Sequence, residues 1–503
     1  MSEVRFTDAR LGKAPAKTFK EYMTWPVLIQ EARRFPWFLW VDRAHTVMLY
    51  ECGIIEKEVA AKILRGLAQL EKEGMDALNL DADFGSYLFQ VERYLGKSIS
   101  DDVAGRMHTA RGRADYQSAS LTLMARDSTL QMASGVIALQ RELVKLAKEH
   151  NRTLMPGYTH YQHAQPTTFG HYILGHFYPF QRDFQRLLGL YARSNMSTLG
   201  NCSRVGTDWP INRYRTAELL GHDGLVLNAQ DQTYYRRDHH ADFAAVAVLI
   251  ANNLARLATD LDAWYSEEFD MLDLPAEFCG SSSIMPQKKN PYPLERARAV
   301  AGESIGWIAS SLGIFKVPHT SAADPSFSVV SEGRLFEDAN TSVAGMLRLF
   351  SEFVPRITIK KDRMDKQARD RWNVASRLGD VIVEKAGLPF RVAHRIVGRL
   401  VRWCTDEGIK SSKVTSDLLD KVALEVIGRP LGLGDATVKN ALDPWEFVLA
   451  LKGPGSANPD VVAQAAIDAE AVLNAEAEWL GAQEAKIAAA REKLVKAIAS
   501  ITG

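Results

Sequence analysis

Residues 279 to 291, CGSSSIMPQKKNP, gather three hydroxyls, two ammonium groups and two carboxamides in one short run. A carboxylate ligand asks for such donors: hydroxyl and amide N–H groups, a cation and a primary amide. Ser282, Ser283, Lys288 and Asn290 supply them, and successive loop N–H groups can form an anion nest. Pro291 and Pro293 stand where a helix starts, the position at which proline costs least. Gly280 is expected to give this loop the φ freedom to open and close. Taken alone, the stretch reads first as a solvated Ser/Gly turn ending at a proline.

Two further stretches carry chemistry. In MPGYTHYQHAQPTTFGH (155–171), His160 and His163 stand three positions apart. That spacing suits a metal pair, but no HExxH and no companion carboxylate spacing accompanies it, so no metal site is expected. The functional reading of His160 is a proton donor or an orienting group, and the structural one is a hydrogen-bonded core histidine. In GRMHTARGRADYQSAS (105–120), Arg111 and Arg113 join His108 and Thr109 at the start of a helix. The guanidinium fork matches a carboxylate, and surface salt bridging is the alternative.

Long helices are what must position these groups. Residues 128–150 place Leu130, Val136, Leu139, Leu143 and Leu146 near the spacing of one apolar helical face. Residues 238–269 are apolar nearly all round in their middle, as in a helix enclosed by other helices. A third long helix, 294–315, follows the serine-rich loop directly. Neither alternating strands nor evenly spaced turns of a sandwich are visible, so the fold class is all-α. Composition shifts divide the chain into an N-terminal helical domain (1–112), a central helical bundle (113–365) carrying the loop 280–291, and a C-terminal helical domain (366–503).

Composition narrows the function. The chain has 503 residues, 46% of them apolar, and Lys+Arg and Asp+Glu both total 61. Zero net charge argues against a nucleic-acid partner, whose binding draws on a positive field. Cys52, Cys202, Cys279 and Cys404 are scattered and form no CxxC pair, which points to a reducing compartment. The start, MSEVRFTDAR, lacks the apolar core of a signal peptide, and the longest wholly apolar run, 243–251, is too short for a bilayer. A soluble, cytoplasmic protein without a membrane partner is expected.

Together and in this order, HTARGRAD, MPGYTHYQHAQPTTFGH, SSIMPQKKNP and GLPFRVAHRIVG (387–398) resemble the fumarase/aspartase superfamily, within it the argininosuccinate lyase branch. LYECGIIEKEVAAKILRGLAQLEKEG (49–74) is similar to the N-terminal domain of that branch. The resemblance implies a three-domain α fold whose central helices build a bundle across a homotetramer. It implies active sites where three subunits meet, a β-elimination releasing fumarate from an N-linked succinyl group, and no cofactor. By motif position Ser282 would be the general base, and His160 with Glu295 the family's histidine–glutamate pair. Thr159, Ser283, Lys288, Asn290 and Arg113 would hold the succinyl carboxylates, with Thr109 and Ser281 also among the substrate-binding residues. The branch also includes lens crystallins that kept the fold as structural protein, but the presence of Ser282, His160, Lys288, Asn290 and Glu295 favours an enzyme.

The chain departs from the branch in the half that reads the amine. Gly112 and Ala114 replace a serine and an asparagine of the arginine-rich motif, and Tyr292 replaces an aspartate after KKNP. Ser281 stands where a glycine is usual. PHTSAADPSFSVVSE (318–332) replaces the segment that reads the arginine part, with His319, Glu332 and Arg237 as candidate contacts to a different amine. The expected substrate is therefore another N-substituted aspartate of the aminopolycarboxylate kind, with argininosuccinate as the alternative.

Overall fold

The computed structural model describes residues 13–316 and 333–503. Helices make up almost all of its regular structure, and every strand among the described residues is two residues long.

Near the N-terminus, α1 (Phe35–Glu51), α2 (Lys57–Glu73) and α3 (Tyr87–Ile99) enclose the first apolar core. Phe38 stacks on both Tyr87 and Tyr116, with ring centroids 4.7 and 4.3 Å apart. Tyr116, Ala119 and Leu123 of the next helix share this core, so the chain passes into its centre without a break in packing.

The second and largest core lies among α4 (Arg113–Glu149), α5 (Phe177–Ser194), α6 (Gln232–Tyr265) and α7 (Tyr292–Phe315). The periodic leucines of α4 are all buried. Helix α6 is long and apolar enough to cross a membrane by length and composition. In the fold it packs against α5, α7 and α4, which accounts for the buried part of its apolar surface, while Leu249 stays exposed. The C-terminal ends of α4 and α6 lie together, because Tyr158, just beyond α4, meets Trp264 of α6 at 4.9 Å. Helix α7 runs back the other way, its last residue Phe315 packing on His240 near the start of α6 at 4.8 Å.

The third core is built by α8 (Ala375–Ala386), α9 (Phe390–Asp406) and α10 (Ser416–Ile427). Thr415 caps α10 by accepting the Leu418 N–H at 3.3 Å. The final helix, α11 (Pro459–Thr502), opens with proline in its first turn and with Asn458 accepting the Asp460 N–H at 2.9 Å. This helix falls in the stretch expected as the C-terminal domain, but it packs on α4 and α2. Val462, Ala466, Leu473 and Leu480 enter the central core and Leu494 and Ile501 the N-terminal one, while the third core takes nothing from it. With 44 residues it is about 66 Å long at 1.5 Å per residue, enough to reach along both.

Candidate active site

The serine-rich stretch folds as a ribbon. Strands β3 (Gly280–Ser281) and β4 (Lys289–Asn290) pair antiparallel, Gly280 opposite Asn290 and Ser281 opposite Lys289. Lys289 anchors its base: Nζ donates to Asp273 Oδ1 at 2.6 Å and to the Leu274 carbonyl at 2.8 Å, and its own carbonyl accepts from the Tyr265 hydroxyl at 2.7 Å. The expected φ freedom of Gly280 is not what the position uses. Its φ is not positive, and a Cβ there would lie 2.0 Å from Cε2 of Tyr292. Glycine is needed so that this ring can lie against the strand.

At the ribbon's tip, Ser282 Oγ accepts the N–H groups of Met285 at 3.0 Å and Ile284 at 3.3 Å. An ordinary serine turn makes the same bonds, and so would a hydroxyl being prepared to carry negative charge. Ser281 is tied into the strand pair, and Ser283 and Lys288 are exposed. Glu295 is exposed in the first turn of α7.

Thr159 and His160 belong to a hairpin. Strands β1 (Tyr158–Thr159) and β2 (Gln162–His163) pair with Thr159 opposite Gln162, which leaves His160 and Tyr161 as the two-residue loop. Both have φ of 56°, the left-handed turn geometry normally given to Asn-Gly. Holding two side-chain-bearing residues there costs energy that the surroundings must supply. Gly157 and Ala164 close the hairpin's base, with the Ala164 N–H to the Gly157 carbonyl at 2.8 Å. Tyr158 wedges against Trp264 and Phe269, and its hydroxyl lies 3.2 Å from His163 Nε2. His163 is thus engaged by Tyr158, while Thr159 and His160 are exposed at the tip.

The two arginines of the third stretch part company. Arg111 is buried, with Nη1 2.6 Å from Asp42 Oδ1 and its guanidinium 4.6 Å over the Tyr116 ring. Tyr116 donates to the other Asp42 oxygen at 3.0 Å. Burial pushes the Asp42 carboxyl up and Arg111 pulls it back. Removing one partner of such a pair costs about 3–5 kcal/mol, so Arg111 serves the fold. Arg113, first residue of α4, is exposed and makes no ion pair among the described residues. The turn before it is fixed from two sides: the Thr109 carbonyl lies 2.9 Å from His45 Nε2, and Asp115 accepts the Gly200 N–H at 3.0 Å. Sequence reading missed Asp42 and His45. The available signal was an aspartate and a histidine inside the apolar run FLWVDRAHTVML.

Within one chain these groups collect at opposite ends of the bundle. The ribbon, Glu295 and the His160 hairpin lie where α4 and α6 end, and Tyr161 lines a cavity of about 720 Å³ together with Lys288 and Asn290. Thr109 and Arg113 lie at the start of α4, whose 37 residues span about 55 Å. Among the described residues, His160 and Glu295 form no ion pair. Arg237 is buried within α6, only 2% exposed. His319 and Glu332 lie outside the described residues.

Comparison with known proteins identifies the family. Residues 17–306 match a family model described as lyase, and residues 373–449 one described as argininosuccinate lyase C-terminal. The argininosuccinate lyase of Methanosphaera stadtmanae is 37% identical over 438 residues, covering 86% of this chain and 92% of that protein. That of Methanocaldococcus jannaschii is 36% identical, covering 90% and 91%. An EDDS lyase variant with bound fumarate superimposes with a TM-score of 0.84 at 32% identity, covering 98% of this chain and 97% of its own. The all-helical bundle, the motif residues at its two ends and these relatives together make the chain a carbon–nitrogen lyase belonging to the argininosuccinate lyase branch of the fumarase/aspartase superfamily.

Proposed function

We propose that the protein releases fumarate and an amine from an N-substituted aspartate by β-elimination, and that the amine is not arginine. One observation carries the reading of the reacting half: Ser282 Oγ, alone of the three serines, accepts two backbone N–H groups. Those donors would favour its alkoxide, helped by Lys288, and so make a weakly basic side chain able to take the proton beside the substrate carboxylate. The bonding electrons then flow into an aci-carboxylate, and the C–N pair leaves with nitrogen. Donors aimed at that developing dianion supply the largest share of catalysis. Ser281, Ser283, Lys288, Asn290, Thr159, Thr109 and Arg113 are assigned to the two carboxylates, and Glu295 to the orientation and charging of His160.

The separation of Arg113 from the ribbon along α4 supports a site shared between chains of a homotetramer. The reaction is assigned to the cytoplasm and to the protein's own side chains, without a cofactor. The amine half rests on the replaced positions. Gly112 and Ala114 offer no side-chain polar group, and a site lacking its matched partners rejects the matched substrate strongly. EDDS lyase, at 32% identity, is named for a different N-linked substrate, which fits an aminopolycarboxylate such as ethylenediamine disuccinate or iminodisuccinate. Argininosuccinate remains the second reading because curated relatives at 36–37% identity carry that activity in their names. Fumarate absorbance should rise rapidly with aminopolycarboxylates and slowly with argininosuccinate. Efficient release of arginine would restore the second reading.

A further inference from the structure

Behind the His160 hairpin is a smaller hollow of about 270 Å³, walled by Tyr158, Tyr161, Tyr172 and Trp264, with Asp260, Thr167 and His160 in its lining. Asp260 has no lysine or arginine partner among the described residues. It accepts the Tyr172 hydroxyl at 3.1 Å, and the other titratable group near it is His176 at 3.9 Å. Burial pulls His176 down to about 4, so it is neutral at pH 7. The Asp260 side chain is 46% exposed.

Aromatic faces carry negative potential and attract an ammonium ion, more strongly where water is excluded. A carboxylate added to such a wall selects for positive charge, because it repels anions and loses solvation against a neutral apolar guest. The hollow lies below the volume of drug-sized pockets, which limits the guest to a compact cation. Tyr161 lines this hollow and also the larger cavity that holds Lys288 and Asn290, so the hollow adjoins the candidate active site.

We infer that this hollow is a binding site for a small alkylammonium, and that it receives a protonated nitrogen carried by the amine half of the substrate. The second clause rests on the lyase reading; the first does not. The first is tested without any aspartate derivative, by calorimetric titration of the whole protein with ethylammonium chloride, using ethanol and sodium chloride at matched ionic strength as controls. Ethylammonium should bind saturably and the controls should not. Asp260→Asn should weaken binding about tenfold or more, and Tyr161→Leu, which keeps bulk but removes the ring face, severalfold. Tyr161 is 64% exposed, so its replacement leaves the fold intact even if the Asp260 variant fails to fold. No saturable binding, equal binding of ethanol, or binding indifferent to Tyr161→Leu would overturn the site. Fumarate release without ammonium binding removes the hollow and leaves the lyase; ammonium binding in a protein that releases no fumarate keeps the hollow and removes its link to the lyase reading.

Discussion

Ser282→Ala should lower turnover by about a thousandfold or more, ~4 kcal/mol of transition-state stabilisation, while fumarate still binds within a few-fold of the unaltered protein. The side chain is at the tip of a ribbon whose base is held independently, by Lys289 on Asp273 and by Tyr265 on the Lys289 carbonyl. Its loss should therefore leave Lys288, Asn290 and the carboxylate donors in place. The Met285 and Ile284 N–H groups would lose their acceptor, which an exposed loop can replace with water. Stopped turnover with retained binding is the signature of a group acting in the chemical step. A variant keeping more than about a tenth of turnover, less than ~1.4 kcal/mol on the same scale, would move the base to Ser281 or Ser283.

Arg113→Met and Ser282→Ala proteins, each inactive, should regain activity when unfolded and refolded together. Within one chain Arg113 opens α4, a helix about 55 Å long, while the ribbon carrying Ser282 lies where that helix ends. If each site draws Arg113 from one chain and Ser282 from another, about a quarter of the sites in a random one-to-one tetramer receive both intact. Activity should rise from background towards a quarter of the unaltered protein's. A mixture shown by mass to have exchanged subunits, yet no more active than its parents, would mean that sites are not shared and that the motif residues do not act together.

What could be read from the sequence was whatever depends on local pattern. The apolar periodicity of 128–150 and the all-round apolar middle of α6 gave the bundle, because an enclosed helix has few other ways to satisfy its surface. The pairing of Gly280–Ser281 with Lys289–Asn290 was not legible, since two-residue strands leave no alternation to detect. Arg111 and Arg113 looked alike because the difference lies in Asp42, 69 positions away. Gly280 invited an argument from φ, but the ring that demands it belongs to Tyr292, which only the folded ribbon brings alongside. Helix α11 falls with the C-terminal domain by its place in the chain alone, because its Ala-rich face does not say which core it will meet.

A chain that joins and separates fumarate and an amine other than arginine is tested by incubating the protein with fumarate and a panel of amines, arginine among them, and identifying each adduct by mass. Adducts heavier than their amine by one fumarate should form with diamines or amino acids other than arginine and be absent when Ser282→Ala protein is used. An adduct formed with arginine in preference to every other amine, or none with any amine, would contradict the proposed activity.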